Sequence, residues 1–372
     1  MPAPADSRNT ALDGLRGLAA LSVVFYHALL HREDLIASVL SVPIQQLGTA
    51  QAILQKLYLT LFNGHSAVLL FFVLSGLVLA RSLERNTGNP LATSLNFALA
   101  RAFRLYPALA FCMACYYALA WLYAWAGWSG FPAPDWRAAA INASLVDIRW
   151  HGPSTTLQGE MLAIPFLLAT FFIGRRFPAI GVPACFAYAV FAFDNPWLVG
   201  WLPNMNVWLP AFLLGMLLAD RRLAPFFQPV SGVGLAALLV LFVGLRAFTN
   251  LNASTTSIGQ ILLSGALVGA VYHGAPQLAV IRLLNRPALQ FLGRISYSLY
   301  LLNVLLLMVA WSVVDRTDWY QQQPLLTGTM VGLLVSLLSL PLAAFSQRVF
   351  EQGGVQLWQT LRQRPGALAS HA

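Results

Sequence analysis

The chain has 372 residues, of which 58% are hydrophobic and only 9% are charged, and its mean hydropathy is +0.67. Soluble domains carry roughly 25% charged residues, so this composition excludes a soluble globular protein and predicts a polytopic membrane protein. The net charge of +9 does not indicate a nucleic-acid partner, because the basic residues neither form a dense run nor alternate with aromatic side chains.

About ten stretches of the chain are apolar enough for transmembrane helices, which need about 20 mostly apolar residues. We predict spans at roughly 12–30, 58–80, 97–126, 159–174, 178–193, 204–219, 231–248, 258–274, 288–311 and 325–347. The predicted fold is therefore an all-α polytopic membrane helix bundle. Residues 1–372 form one membrane domain in this interpretation, with disordered ends at about 1–10 and 361–372.

The first predicted span carries two ionisable side chains, Arg16 and His27. They are eleven residues apart, which is three helical turns plus about 20°, so both lie on one helix face about 16 Å apart. Ionisable groups inside a membrane helix usually face the bundle interior and often mark a site. The alternative is that Arg16 reaches the lipid headgroups and His27 lies near the far interface, and the later stretches of the chain disfavour it.

The distribution of basic residues predicts the orientation. If the N-terminus is cytoplasmic, most of the 22 Lys and Arg residues fall in inside segments, among them Arg81, Arg101 and Arg175. The outside segments carry few basic residues, and Lys56 and Arg246 are two of them. By the positive-inside rule both termini are cytoplasmic.

Further stretches carry recognisable motifs. They are NGHSAVLLFFVLSGLVLARSL (63–83), ALARAFRLYPAL (98–109), TTLQGEMLAIP (155–165), FLGRISYSLYLLN (291–303) and RVFE (348–351). Together with the LDGLRG-to-His27 stretch and in this order, they resemble the acyltransferase-3 family of integral membrane acyltransferases over nearly the whole chain. Members of that family transfer acetyl or other short acyl groups, usually from acyl-CoA inside the cell, to hydroxyls of envelope glycans, lipids or secreted metabolites.

The resemblance implies a multi-pass enzyme of the plasma membrane (the bacterial inner membrane) that transfers acyl groups other than amino-acyl groups. It implies acyl-CoA, in the first place acetyl-CoA, as the donor substrate, with no bound cofactor and no metal. The expected acceptor is a glycan or lipid-linked glycan, with exopolysaccharide or O-antigen as the leading candidate and a small lipid or macrolide-like molecule as the alternative. Membrane lipids and separate envelope-biosynthesis proteins are the other expected partners, and no nucleic acid is expected.

The resemblance also assigns site residues. His27 matches the family's catalytic histidine, and a histidine with a reference pKa near 6.5 suits a general base that deprotonates an alcohol. Glu160 is expected to orient His27 or to hold the acceptor, entering the membrane from the outside. Arg16, Arg101 and Arg104 are expected to bind acyl-CoA, the last two at the cytoplasmic side, because arginine makes multidentate phosphate contacts.

Other side chains are weaker candidates, for which a packing or interfacial role is equally open or favoured. The candidate cavity-lining residues are His65, Ser75, Tyr106, Tyr297, Tyr300 and Asn303. Ser75 and Gly76 are more readily explained by close helix packing, and Glu351 is predicted to pair with a cytoplasmic arginine. Cys112 and Cys115 form a CxxC pattern in an apolar run with no nearby histidine or acidic residue, which favours packing over a redox or metal site.

The sequence departs from the family pattern at several positions. Ala100 replaces one of two paired arginines, Thr155 a tryptophan, Gln158 a serine and Asn303 a histidine. Two other function classes therefore stay open, namely a transporter or flippase of a lipid-linked glycan and a catalytically degenerate member that acts as a scaffold. Turnover of acyl-CoA distinguishes the enzyme from both.

Overall fold

The computed structural model describes residues 9–31, 33–85, 88–250 and 253–363, and over these residues the chain is helical without a β-strand. The helices are α1 (Thr10–Leu29), α2 (Glu33–Ser41), α3 (Ala50–Leu61), α4 (Gly64–Glu84), α5 (Pro90–Trp125), α6 (Trp136–Ala143), α7 (Ser154–Leu162), α8 (Ile164–Arg176), α9 (Gly181–Ala192), α10 (Met205–Leu218), α11 (Ala224–Phe227), α12 (Gly232–Phe248), α13 (Ser254–His273), α14 (Ala279–Leu284), α15 (Pro287–Val314), α16 (Trp319–Gln322), α17 (Pro324–Ser346) and α18 (Gln352–Gln363). A π-helical turn, Gln347–Glu351, joins α17 to α18. The predicted disordered ends lie for the most part outside the described residues.

Helices occupy all ten predicted spans, which confirms the all-α class. Six helical stretches of the described residues are long and apolar enough to cross a membrane: Ala50–Glu84, Pro90–Trp125, Ser154–Arg176, Ser254–His273, Pro287–Val314 and Pro324–Gln363. The bent pair Arg221–Phe227 and Gly232–Phe248 gives a seventh if it forms one span. The helices α9 and α10, with 12 and 14 residues, are shorter than a full span. A count of about ten spans and the cytoplasmic side of both termini stay predictions.

The described residues form two compact units. The first contains residues 9–26, 33–82 and 169–296. The second contains residues 27–31, 83–168 and 297–363. Most of the predicted site residues therefore belong to the second unit.

In the first unit the LDGLRG motif packs against the start of α15. A Cβ atom added to Gly293 would overlap the backbone carbonyl of Asp13, and one added to Gly17 would lie 2.7 Å from the backbone nitrogen of Gly293. The two backbones are thus too close for any side chain at these positions. Glycine is required here for helix packing, and the motif has a structural role beside the ionisable Arg16 that it contains.

A second close contact in the first unit joins α4 and α10. A Cβ atom on Gly76 would overlap the carbonyl oxygen of Phe212, and one on Gly215 would overlap that of Val73. Small residues allow helix backbones to approach in this way. The contact confirms the packing interpretation of Gly76, whose neighbour Ser75 is half-buried.

In the second unit α18 approaches the backbone of α5 at a proline. Pro107 lies inside α5 and has no N–H, so the carbonyl of Phe103 lacks its usual donor four residues on. Gly354 packs on this carbonyl, and a Cβ atom there would overlap the Phe103 oxygen and lie 2.8 Å from Pro107 Cγ. This contact holds the start of α18, and with it Glu351, next to Arg104.

Replacement of Gly354 by alanine tests this contact. We expect Gly354→Ala to lower the free energy of unfolding by about 1–3 kcal/mol, as overpacking does in a close-packed interior. Gly353→Ala is the matched control, because a Cβ atom there meets nothing within 4 Å and alanine favours the helix by up to about 1 kcal/mol. Thermal unfolding in detergent measures both variants, and equal unfolding temperatures would contradict the close approach.

The core of the second unit lies between α5 and α15. Its fully buried side chains include Leu109, Cys112, Leu301 and Leu302, and several aromatic residues pack around them. Tyr106, Tyr297 and Tyr300 are among these partly buried neighbours. These three candidate side chains thus pack against a buried apolar core.

Candidate functional site

A short ion pair joins α5 and α7 in the second unit. Arg101 Nη2 donates to Glu160 Oε2 at 2.6 Å. The two side chains are 10% and 20% exposed, respectively, so the contact is largely shielded from solvent. Charge-assisted hydrogen bonds of this kind are about twice as strong as neutral ones. A residue predicted to bind acyl-CoA and one predicted to act at the acceptor therefore lie in direct contact.

This contact corrects the separation that the sequence suggested, with Arg101 at the cytoplasmic side and Glu160 entering from the outside. The helix α5 has 36 residues and is about 54 Å long at 1.5 Å per residue. An apolar bilayer core is only about 30 Å thick, so a position along so long a helix does not fix its depth. The guanidinium of Arg101 and the carboxylate of Glu160 lie at one level.

A second ion pair lies one turn further along α5. Arg104 Nε donates to Glu351 Oε1 at 3.2 Å, which confirms the predicted pairing of Glu351 with an arginine. Glu351 ends the π-helical turn, and such turns frequently occur at functional sites. Because Arg101 and Arg104 are three residues apart, they are neighbours on one helix face. The two pairs form a charge cluster (Arg101, Arg104, Glu160 and Glu351) with two positive and two negative groups.

Two atoms of the charge cluster are buried without a hydrogen-bond partner among the described residues. They are Arg101 Nε, which is a donor, and Glu351 Oε2, which is an acceptor. A buried polar group without a partner costs about 1–3 kcal/mol, and native proteins contain few of them. A ligand that offers an acceptor to Arg101 Nε and a donor to Glu351 Oε2 would satisfy both atoms.

The two tyrosines of the ISYSLY motif are fixed by hydrogen bonds. Tyr297 Oη donates to the carbonyl oxygen of Leu105 at 2.8 Å, which ties α15 to the segment of α5 that carries the arginines. Thr156 Oγ1, on α7, lies 3.1 Å from Tyr300 Oη and donates to it. Both tyrosines are half-buried. They connect α5, α7 and α15 around the charge cluster.

Two departures from the family pattern have structural roles. Gln158 Nε2 donates to the carbonyl of Leu145 at 2.8 Å. The φ angle of Leu145 is 63°, which is rare for residues other than glycine. Asn303 is fully buried, and its Nδ2 donates to the carbonyls of Leu299 and Tyr300 in its own helix. The structure thus places Asn303 against its own helix backbone and not on an accessible cavity wall.

The remaining departures and Tyr106 lie on α5 and α7. Tyr106 is half-buried, and its hydroxyl donates to the carbonyl of Ser144 at 3.5 Å, which links α5 to the end of α6. Thr155 and Ala100 are half-buried on α7 and α5. None of these three places a further positive charge beside Arg101.

Arg16 and His27 lie on the same continuous helix, α1, as the spacing predicts. The side chain of His27 is exposed between the buried residues Tyr26 and Ala28, and Arg16 is half-buried. His65 of α4 is also exposed, and its Nδ1 lies 2.9 Å from Tyr26 Oη. An exposed imidazole on an otherwise buried helix end has the accessibility that a general base requires.

A buried polar network at the start of α7 was not predicted as a site. His151 Nδ1 lies 2.9 Å from Ser154 Oγ, which donates to Asn142 Oδ1 at 3.1 Å. His151 Nε2 lies 3.0 Å from the carbonyl oxygen of Leu301 and 3.7 Å from Cys112 Sγ. A histidine that is distant in sequence from the CxxC pattern therefore lies beside Cys112 in the fold. The sequence feature that could have indicated this network is HGPS (151–154), in which His151 precedes Ser154, the first residue of α7, by three residues.

The protonation of His151 makes this network sensitive to pH. Burial lowers the pKa of His151 to about 4, and the carbonyl of Leu301 opposes this shift only in part. In the unfolded chain a histidine titrates near 6.5, so between pH 6.5 and 4 the unfolded state binds the extra proton. The stabilising contribution is therefore complete above pH 6.5 and is lost as the pH falls towards 4. It amounts to roughly 3 kcal/mol.

Thermal unfolding as a function of pH tests this dependence. We expect His151→Gln to unfold at a lower temperature than the wild type at pH 7.5, and this difference to shrink as the pH falls to 4.5. His273→Gln is the control, because His273 is only partly buried and bonds the carbonyl of Leu218 at 2.9 Å. A difference between wild type and His151→Gln that is the same at every pH would contradict a buried neutral histidine.

Comparisons with known proteins identify the family of the chain. The sequence profile of a family described as Acyltransferase domain matches residues 9–345, which is nearly the whole chain. A comparison with curated proteins gives no match, and a comparison with solved structures gives none. The matched range includes the LDGLRG motif, His27, Arg101, Arg104 and Glu160. The chain belongs to this acyltransferase family and is an integral membrane acyltransferase.

Proposed function

We propose that the protein transfers an acetyl or other short acyl group from cytoplasmic acyl-CoA to a hydroxyl of a cell-envelope or exported glycan. Acyl transfer follows from the family, and the donor and acceptor are the proposal. The observation that supports it is that the exposed His27 and the charge cluster belong to the same compact unit. An exopolysaccharide or O-antigen is the proposed acceptor, and the plasma membrane is the proposed location.

His27 acts as the general base in this proposal. An alcohol is a poor nucleophile until its proton is removed. His27 takes the proton of the acceptor hydroxyl while the oxygen attacks the thioester carbonyl. The C–S bond then breaks, the thiolate of CoA accepts the proton from the imidazolium, and the ester and free CoA are released. No metal is needed for this sequence of steps.

In this proposal the charge cluster binds acyl-CoA and stabilises the negative charge that develops on the thioester carbonyl oxygen. A preorganised donor is most effective where charge develops on the carbonyl oxygen, and the free Nε of Arg101 is such a donor. Glu160 fixes the guanidinium of Arg101 through the 2.6 Å contact. Arg104 is the proposed contact to the phosphates of CoA, and the role predicted for Arg16 stays a prediction. Because Arg104 is bonded to Glu351, a phosphate has to compete with this carboxylate.

Release of free CoA tests the proposal. The purified full chain in nanodiscs is mixed with acetyl-CoA, with and without an envelope-glycan extract, and empty nanodiscs give the background. We expect CoA release that depends on the glycan and an acylated glycan detected by mass spectrometry. Release that is independent of glycan would contradict the acceptor class. No release with any short acyl-CoA would contradict the donor and favour the transporter or scaffold alternatives.

A further inference from the structure

Two buried cations lie in the first unit, away from the residues proposed for acyl transfer. Lys56 of α3 is 2% exposed and Arg246 of α12 is 3% exposed. They are close enough for their positive charges to repel each other. No carboxylate among the described side chains forms an ion pair with either of them.

The hydrogen bonds of these cations leave several donors free among the described residues. Lys56 Nζ donates to the carbonyl of Leu40 at 2.9 Å, and Arg246 Nε donates to Ser66 Oγ at 3.1 Å. Both Nη groups of Arg246 make no hydrogen bond to a described residue. The site thus contains strong donors whose acceptors are not supplied by the described protein groups.

Burial of this pair is energetically unfavourable without an anion. The effective penalty for burying one ion is several kcal/mol, and a partner charge must offset it. In membrane proteins such buried charges mark ligand or ion sites. Since the two cations also repel each other, a bound anion would stabilise both.

An apolar cavity adjoins the cation pair. Its volume is about 290 Å³, and it is lined by Leu15, Leu18, Ala19, Leu21, Ser22, Thr60, Leu61, Phe62, Asn63, Ser66, Ala67, Leu70, Leu239, Phe242, Val243 and Leu267. This volume is at the lower end of the usual range for small-molecule sites. Three of these residues, Leu18, Leu61 and Leu239, are exposed, so the cavity opens at the surface.

One hydrogen bond and two neighbours along the helices connect the cavity to the cations. Ser66 lines the cavity and accepts the hydrogen bond of Arg246. Thr60 and Phe242 also line it, and each lies four residues, about one helical turn, from Lys56 or Arg246. An apolar wall that ends at two positive charges complements a molecule with a hydrocarbon chain and an acidic head.

We propose that Lys56 and Arg246 bind the phosphate of an anionic membrane phospholipid, and that one acyl chain of this lipid lies in the adjoining cavity. This site goes beyond the proposed acyl transfer, because it contains none of the residues assigned to that reaction. The free Nη groups of Arg246 suit the bidentate binding of phosphate oxygens. The cavity excludes water from the chain.

Lipid binding to the purified full chain tests the site. Dioctanoyl phosphatidic acid and dioctanoylglycerol, which has the same chains without the phosphate, are titrated and counted by native mass spectrometry. We expect one tightly bound phosphatidic acid, and weaker binding by roughly tenfold or more in Arg246→Gln, as when one partner of a buried charge pair is removed. Equal binding of dioctanoylglycerol, or unchanged binding in Arg246→Gln, would overturn the proposal.

Misfolding of Arg246→Gln would also weaken binding, so a second variant tests the cavity independently. Leu239→Trp fills the open side of the cavity and leaves both cations in place, so we expect it to weaken phosphatidic acid binding as well. Leu262→Trp is the matched control, because Leu262 is exposed on α13 and does not line the cavity. In the last experiment, inorganic phosphate is added to the complex with phosphatidic acid as a competitor. If it displaces the lipid completely, or if Leu239→Trp binds as well as wild type, the site is not a lipid site.

Discussion

His27→Ala is expected to lower kcat for acyl transfer by about 10²–10⁴-fold, which is the usual contribution of a general base. The side chain is exposed on α1, so its removal leaves no cavity in a packed core. We therefore expect an unfolding temperature close to that of the wild type. The measurement is glycan-dependent release of CoA in nanodiscs, with both proteins at matched concentration.

Two further variants separate a base from a packing residue. His27→Gln keeps much of the size and polarity of histidine but cannot accept a proton near neutral pH, so it should be as inactive as His27→Ala. His273→Gln, outside the proposed machinery, should keep wild-type turnover. Wild-type turnover in His27→Gln would exclude His27 as the base.

Glu160→Gln is expected to have the second largest effect. It leaves Arg101 buried beside a neutral amide, and the removal of one partner of a buried ion pair costs about 3–5 kcal/mol of stability. We expect both a lower unfolding temperature and a loss of turnover of about 10²-fold or more, the scale seen when one preorganised donor is lost. The exposed pair of Arg149 and Asp147 is the matched control, and Asp147→Asn should change neither quantity appreciably.

The double variant Arg101→Gln with Glu160→Gln distinguishes chemistry from structure. It removes both charges, so much of the lost stability should return. Turnover should stay low, because the free donor of Arg101 is also absent. If turnover returned together with stability, the pair would have only a structural role.

The positions of the helices follow from the sequence, whereas the contacts between them follow only in part. The apolar runs and their spacing place a helix at each predicted span and put Arg16 and His27 on one helix. The same pattern does not show the depth of Arg101, because α5 is much longer than a bilayer core and its tilt depends on its packing partners. Its contact with Glu160 is therefore visible only in three dimensions.

The sequence does not indicate the contacts of single residues that belong to no periodic pattern. His151 is isolated in a loop, and its contacts with Ser154 and Leu301 come from distant elements. In the sequence, Lys56 and Arg246 are two cations of outside segments that indicate only the topology. Their sequence positions do not show that both side chains are buried.

The π-helical turn Gln347–Glu351 determines which side chains of α18 face α5, because one residue more or less in the turn changes the helical register. Such a turn is equivalent to one residue inserted into an α-helix. Deletion of one residue there would rotate all later side chains by about 100° around the helix axis. Glu351 would leave Arg104 and Gly354 would leave Phe103 in the same step. Relatives that differ by one residue in this segment would thus carry a different counter-charge beside the same two arginines.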